Sequence, residues 1–158
     1  MVYTDVFAAS GPRQLRSILH VPLVVHVPGM TEARQVSTVA DQTRLAPTIL
    51  EIAGMERPTW MDGQSLCGLL RGETELQPAR AFTQYFEANS AFKPIRSGSV
   101  GVIDGRHQYV IDIGTGVGSL YDLSEANEQR NELSGSEPDV AADLHGAIQR
   151  RFPDVVPG

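Results

Sequence analysis

Few side chains in this sequence offer chemistry, and their spacing keeps them apart. Cys67 is the only cysteine, which excludes an internal disulfide and a cysteine-based zinc cluster. The four histidines are His20, His26, His107 and His145. A histidine zinc site needs convergent ligands. His20 and His26 flank one predicted strand at a spacing that gives no shared face, while His107 falls in a predicted hairpin and His145 on the last predicted helix. Structural or surface roles are expected for all four. Gly114-Thr115-Gly116-Val117-Gly118 is glycine-rich, but it links two predicted strands and does not precede a helix. It reads as a mobile hairpin loop, not a phosphate cradle. No serine–histidine–aspartate set carries an identifiable nucleophile motif. Residue type and spacing therefore assign no catalytic residue and no metal ligand, and leave the substrate-binding residues unknown.

Composition narrows the classes further. The chain has 158 residues, 41% of them hydrophobic and 20% charged, with a net charge of −6. That is the length and mixture of one ordinary globular domain. The negative balance argues against nucleic acid as a partner, since binding a polyanion rests on clustered cations. Lys93 is the sole lysine, and the arginines are scattered along the chain. No apolar run approaches the ~20 residues that cross a bilayer, so no membrane partner is expected. Met1–Ser10 lacks the basic and apolar regions of a signal peptide, and a soluble chain of unknown compartment is the expectation.

The elements that would position these residues fall into two textures. From Gly11 to Gly72 the pattern is helix, buried strand, helix, helix. A first helix begins near Pro12 and carries Leu15, Ile18 and Leu19 at helical spacing. Val21–Val27 is apolar and β-branched, closed by Pro28-Gly29, and reads as a strand buried on both faces in a parallel sheet. A second helix covers about Arg44–Ala53, with Leu45, Ile49 and Ile52 on one face and Gly54 as its stop. A short third covers Ser65–Arg71. After the polar stretch 73–80 come four strands, Ala81–Phe86, Ser99–Ile103, Gln108–Ile113 and Leu120–Leu123, with Asp104-Gly105 as a hairpin signal. A last helix starts with a capping-box-like Ser136 and Asp139 and carries Val140, Leu144 and Ile148, with Phe152 just beyond. The fold class expected is α+β: one buried strand plus helices, then a four-stranded antiparallel sheet with a C-terminal helix packed on it. A strand apolar on both faces needs parallel neighbours and two helical layers, and this chain has too few elements to supply them. It reads as a piece of a larger α/β protein, or as one that pairs with a second copy.

Five segments, in order, resemble the C-terminal portion of type I, formylglycine-dependent sulfatases of the alkaline phosphatase superfamily. Val21-Pro22-Leu23-Val24-Val25 with Pro28-Gly29 is similar to their VPLIIxxPG strand. Leu45-Ala46-Pro47-Thr48-Ile49-Leu50-Glu51-Ile52-Ala53-Gly54 resembles DLAPTLLDLAG. Asp62-Gly63-Gln64-Ser65-Leu66 with Leu69-Leu70-Arg71-Gly72 matches DGxSLxxLLxG. Val102–Val110 resembles the VRxGRYKYI hairpin. Leu120-Tyr121-Asp122-Leu123 with Glu128 and Asn131 is similar to LYDLxxDPxExxNL. Departures stand beside the matches. Arg44 occupies the place of the aspartate that caps the helix, leaving Thr43 as the nearest cap. Ile103 and Gln108 replace an arginine and a lysine, and Ala126-Asn127 replaces Asp-Pro. Gly11 falls where many members carry a sulfate-binding lysine.

The resemblance implies a division into the end of a sulfatase-like α/β core (1–72), a linker (73–80) and a C-terminal subdomain (81–158). It implies a parent reaction, sulfate monoester hydrolysis, that uses a formylglycine and a divalent Ca or Mg ion. Both would belong to a missing N-terminal catalytic domain, the implied partner, and no cofactor is expected in this chain. Cys67-Gly68-Leu69-Leu70-Arg71 has the cysteine-to-arginine spacing of the formylglycine motif C-x-P-x-R. It lacks the proline and lies in the wrong segment, so Cys67 is expected to be a small buried thiol. Asp5 follows Val2-Tyr3-Thr4 as a remnant metal ligand would, but Val6-Phe7 stands where His-Gly should be, and one carboxylate makes no divalent site. The chain alone is expected to be inactive. A phosphonate or phosphate ester hydrolase of the same superfamily, or a non-catalytic binding or assembly module derived from it, are the alternatives.

Overall fold

The computed structural model describes residues 2–4, 14, 19–33, 35–36, 38–73, 80–87, 94–124 and 131–156. The elements in chain order are β1 (Val2–Thr4), β2 (Val21–Leu23), a 3-10 turn at Gln42–Arg44 running into α1 (Leu45–Ile52), α2 (Cys67–Arg71), β3 (Ala81–Phe86), β4 (Gly98–Ile103), β5 (His107–Asp112), β6 (Gly118–Asp122) and α3 (Pro138–Arg151). The expected first helix, Asp5, Gly11 and most of 73–80 lie outside the described residues.

The four long strands form an antiparallel meander in the order β3-β4-β5-β6, within two residues of the boundaries read from the alternation. The turns joining β4 to β5 and β5 to β6 are each closed by a side chain. Asp104 Oδ1 accepts the backbone N–H groups of Arg106 and His107 at 3.2 and 2.8 Å, and Gly105 takes the positive φ of 101° that the turn requires. In the glycine-rich loop, Asp112 Oδ1 accepts from the N–H and hydroxyl of Thr115.

The sheet is buried on both faces. Val100, Val102, Tyr109, Ile111 and Leu120 point to one side, where Ala141, Leu144 and Ile148 of α3 and Val156 beyond it complete the core. The expected stripe on the last helix is therefore the one that packs. Its capping box does not form. Glu137 is the N-cap and makes no side-chain capping bond, because the Ser136 hydroxyl turns back to the Leu133 carbonyl at 3.1 Å. Pro138 in the first turn, Asp139 beside it and Arg150 and Arg151 in the last turn suit the helix start and its dipole instead.

The opposite face is closed by the N-terminal region. Leu19 packs with Ile103 and Leu123. Gln14, fully buried, donates from Nε2 to the Ser99 carbonyl and hydroxyl at 3.0 Å each and accepts from the Thr83 hydroxyl, while Gln108 Nε2 donates to the Gln14 carbonyl at 2.7 Å. Ile103 and Gln108, where the family pattern has charged residues, are thus inward-facing here.

The first half departs from expectation at three places. The apolar run Val21–Val27 is a strand only at Val21–Leu23, pairs antiparallel with β1 and is not enclosed, Val24 being 89% exposed. An apolar run marks where burial is needed, and here Leu23 packs against Ala40, Leu66 and Leu69 while Val24 on the other side stands open. Of the expected α1 stripe, Leu45 packs on Ala40, Leu66 and Leu69, but Ile49 and Ile52 are turned outward, Ile49 being 65% exposed, while Pro47 and Thr48 face inward. The turn ahead of α1 is capped by Asp41, whose Oδ1 accepts the Thr43 N–H at 3.1 Å, so Thr43 is the capped residue and not the cap.

Candidate functional site

Cys67 sits where α1 and α2 are tied together. Thr48, buried on α1, donates its hydroxyl to the Arg44 carbonyl at 2.5 Å and accepts the Leu66 N–H at 2.8 Å. Ser65 Oγ accepts the Cys67 N–H at 3.1 Å, and the Cys67 thiol points at the Thr48 carbonyl, 3.7 Å away. Gly72, at φ 75°, ends α2, and the Glu73 N–H reaches the Gly68 carbonyl at 2.8 Å, a glycine stop of the ordinary kind. Gly63 is needed twice over: its φ is 86°, and a Cβ there would stand 2.5 Å from the Thr43 carbonyl oxygen. The DGxSL segment is therefore a packing device in this chain, and Cys67 is its buried thiol.

Arg71, four residues on, points elsewhere. It pairs with Glu73 at 2.8 Å and Glu51 at 3.3 Å. The Ser65 hydroxyl foremost, with Arg71 adding to it, holds the Glu51 carboxyl below the usual carboxylate range although burial opposes the shift. Cys67 and Arg71 thus face different partners, the Thr48 carbonyl for the thiol and Glu51 and Glu73 for the guanidinium.

The histidines do not converge. His26 is exposed and His20 lies just ahead of β2. His107 is buried, with Nε2 3.3 Å from a Glu137 oxygen. His145 Nδ1 is 3.3 Å from the Tyr109 hydroxyl, whose pKa burial pushes up, with Glu132 adding to it. No three His, Cys, Asp or Glu side chains among the described residues could hold a metal ion. The described donors therefore offer no cluster that fits a divalent ion.

Two concave surfaces stand out among the described residues. A groove of about 710 Å³ is lined by Leu23, Val24, Val25, Met30, Val36 and Leu70 among others, all beside the uncovered first half. A second, of about 650 Å³, lies where the 3-10 turn, the loop 57–64, β3 and the end of α3 meet, and it holds Arg44, Arg57, Arg80, Arg150 and Arg151. Neither was read from the sequence. These arginines come from four separate stretches of the chain and show no periodicity; the one available signal was Arg44 standing where the family pattern has an aspartate.

The sequence model of the family described as N-sulphoglucosamine sulphohydrolase, C-terminal, matches residues 15–152. Arylsulfatase K of Danio rerio is 27% identical over 131 residues, which are 79% of this chain and 24% of that protein. The solved structure of a 2-O GAG sulfatase superposes with a TM-score of 0.61 at 20% identity, covering 76% of this chain and 26% of that one. A phosphonate monoester hydrolase from Silicibacter pomeroyi gives 0.54 at 22% identity, over 74% of this chain and 26% of that one. The chain thus spans about a quarter of the length of the relatives it matches. With its fold and nearly all of its length accounted for in this way, the chain belongs to the family of sulfatase C-terminal domains described as N-sulphoglucosamine sulphohydrolase, C-terminal.

Proposed function

We propose that the chain is the C-terminal part of a sulfate-ester hydrolase and acts by packing onto a catalytic domain that carries the nucleophile and the metal. One observation carries this reading. Five of the six large hydrophobic side chains left exposed among the described residues, Val24, Ile49, Ile52, Met55 and Trp60, lie between positions 24 and 60. The sheet is covered on both faces, whereas the half that resembles the end of an α/β core leaves these side chains open. Exposed apolar side chains concentrated in one half of a chain mark an interface. The groove beside Val24 would receive side chains of the catalytic domain, and β2 would continue into its sheet.

In this reading the parent reaction is hydrolysis of a sulfate monoester to an alcohol and sulfate. A formylglycine and a divalent ion, when present in the catalytic domain, supply the nucleophile and the charge that stabilises the ester oxygens. This chain contributes a rigid wall: 1–72 as the interface layer, 73–80 as linker, 81–158 as the supporting sheet. The phosphonate monoester hydrolase neighbour supports the same architecture for a related ester reaction.

Two experiments test the reading. The coding sequence upstream of Met1 is expected to encode a C-x-P-x-R motif and acidic metal ligands; its absence there would count against a split of this kind. The purified chain is expected to leave an aryl sulfate intact with Ca²⁺ or Mg²⁺. Turnover above background that disappears in Cys67→Ala would make Cys67 the nucleophile and overturn the proposal.

A further inference from the structure

We infer that the arginine cleft is an oxyanion site that takes a sulfate group, with Arg44 as its buried anchor. Arg44 is only 8% exposed, and its Nε and Nη1 are buried with no hydrogen-bond partner. A guanidinium is always charged and carries only donors. Burying one without an acceptor is strongly unfavourable, and an anion removes the penalty. The rest of the lining fits that role. Arg57 donates from Nη1 to the carbonyls of Met61 and Gly63 at 3.0 and 2.9 Å, which fixes its position at the cleft. Arg80 is held by Asp143, and Arg151 lies 2.9 Å from Asp62. Arg150 is exposed at the rim. Asp41, the other carboxylate of the cleft, already accepts the Thr43 N–H and hydroxyl.

The surface left for a ligand therefore consists chiefly of donors. Sulfate at neutral pH is acceptor-only, with oxygens spaced for the guanidinium fork. The match is chemical and does not depend on the parent reaction proposed above. The sulfate could arrive as the free ion or as the ester group of a sulfated saccharide, and the two share the same contacts.

The experiment is calorimetry and thermal melting of the purified chain, with sodium sulfate exchanged against sodium chloride at constant ionic strength. Saturable binding and a melting temperature that rises with sulfate are expected. Arg44→Met is expected to weaken binding by about tenfold or more and to raise the melting temperature without sulfate, because it removes the unpaired charge. Arg150→Gln, an exposed change that leaves the fold intact, should weaken binding several-fold with no change in the sulfate-free melt. Arg106→Gln, whose side chain pairs with Asp122 on β6, should bind as the parent does. A sulfated disaccharide and its desulfated counterpart separate the sources. Binding of the sulfated sugar about tenfold tighter than inorganic sulfate identifies the ester, and binding no tighter than inorganic sulfate identifies the free ion. Equal binding of the sulfated and desulfated sugars overturns the inference. The inference is overturned if sulfate has no effect beyond chloride, or if binding survives both Arg44→Met and Arg150→Gln. It is equally overturned if Arg44→Met is stabilising while sulfate binds neither protein, since the guanidinium would then await a carboxylate of another polypeptide.

Discussion

Replacing Thr48 by valine should loosen α2 without disturbing the sheet. Valine matches threonine in shape and deletes the hydroxyl that joins the two helices. The Leu66 N–H, 2.8 Å from that hydroxyl, then points into a site where Leu66 is fully buried. An orphaned buried N–H costs about 1–3 kcal/mol, and the lost donation to the Arg44 carbonyl about 0.5–1.5 kcal/mol more. A total loss of about 2–4 kcal/mol follows, a large share of the roughly 5–15 kcal/mol typical of a whole domain. Thr48→Ser keeps the hydroxyl and loses one methyl, for about 1 kcal/mol. Urea unfolding followed by circular dichroism gives the difference between the two. Cys67 provides a local reading, since its thiol is buried against Thr48. If α2 opens independently, labelling by a thiol reagent should accelerate about 30-fold for about 2 kcal/mol in the valine variant. Equal losses for valine and serine, or labelling at the parent rate in the valine variant, would refute the assignment of Thr48 as the tie.

Leu144→Ala, at a fully buried position between α3 and the sheet, should cost about 2–5 kcal/mol in the same urea experiment, and a loss under about 1 kcal/mol would mean that α3 is not seated there. Asp122 gives a pH dependence. The Ser124 hydroxyl first, then the Ser124 N–H and Arg106, hold its carboxyl far below the usual range. A depressed folded-state pKa contributes stability that is complete above the unfolded value, about 3.9, and fades as pH falls through the folded one. Stability of the parent should therefore drop below about pH 4 more steeply than that of Asp122→Asn, and identical acid limbs in the two proteins would contradict this.

The sheet was legible in the sequence because both of its covers are in the chain. Alternating residues such as Val100 and Val102, or Tyr109 and Ile111, report a face that α3 fills, and the Asp104-Gly105 pair reports the turn between them. Val21–Val27 and the Ile49–Ile52 stripe were read by the same logic, yet they stand open. Hydrophobic pattern states that a face requires burial, not what supplies it. Asp41 was missed as a cap because a 3-10 turn moved the helix start away from the expected position. Thr48, Gln14 and Gln108 left no trace because a buried polar side chain has no periodicity; its partner defines it, and the partner is known only once the chain is folded. Cys67 shows the converse. A spacing that suggests chemistry lost its force when the neighbouring segment identified a short packing helix.

The clamp of Gln14 on the sheet also orders events in time. Each strand of the meander pairs with its sequence neighbour, so the sheet can assemble by closing short loops. Gln14 must wait for Ser99 and Gln108, 85 and 94 residues downstream. Closing a loop that long costs about 2 kcal/mol more than closing a hairpin of about ten residues. At a synthesis rate of about 5–20 residues per second, Gln14 leaves the ribosome about 5–19 seconds ahead of Gln108. The upstream segment thus locks only after the strands it clamps have been made, and until it does the polar face of Thr83, Ser99 and Gln108 is open to water.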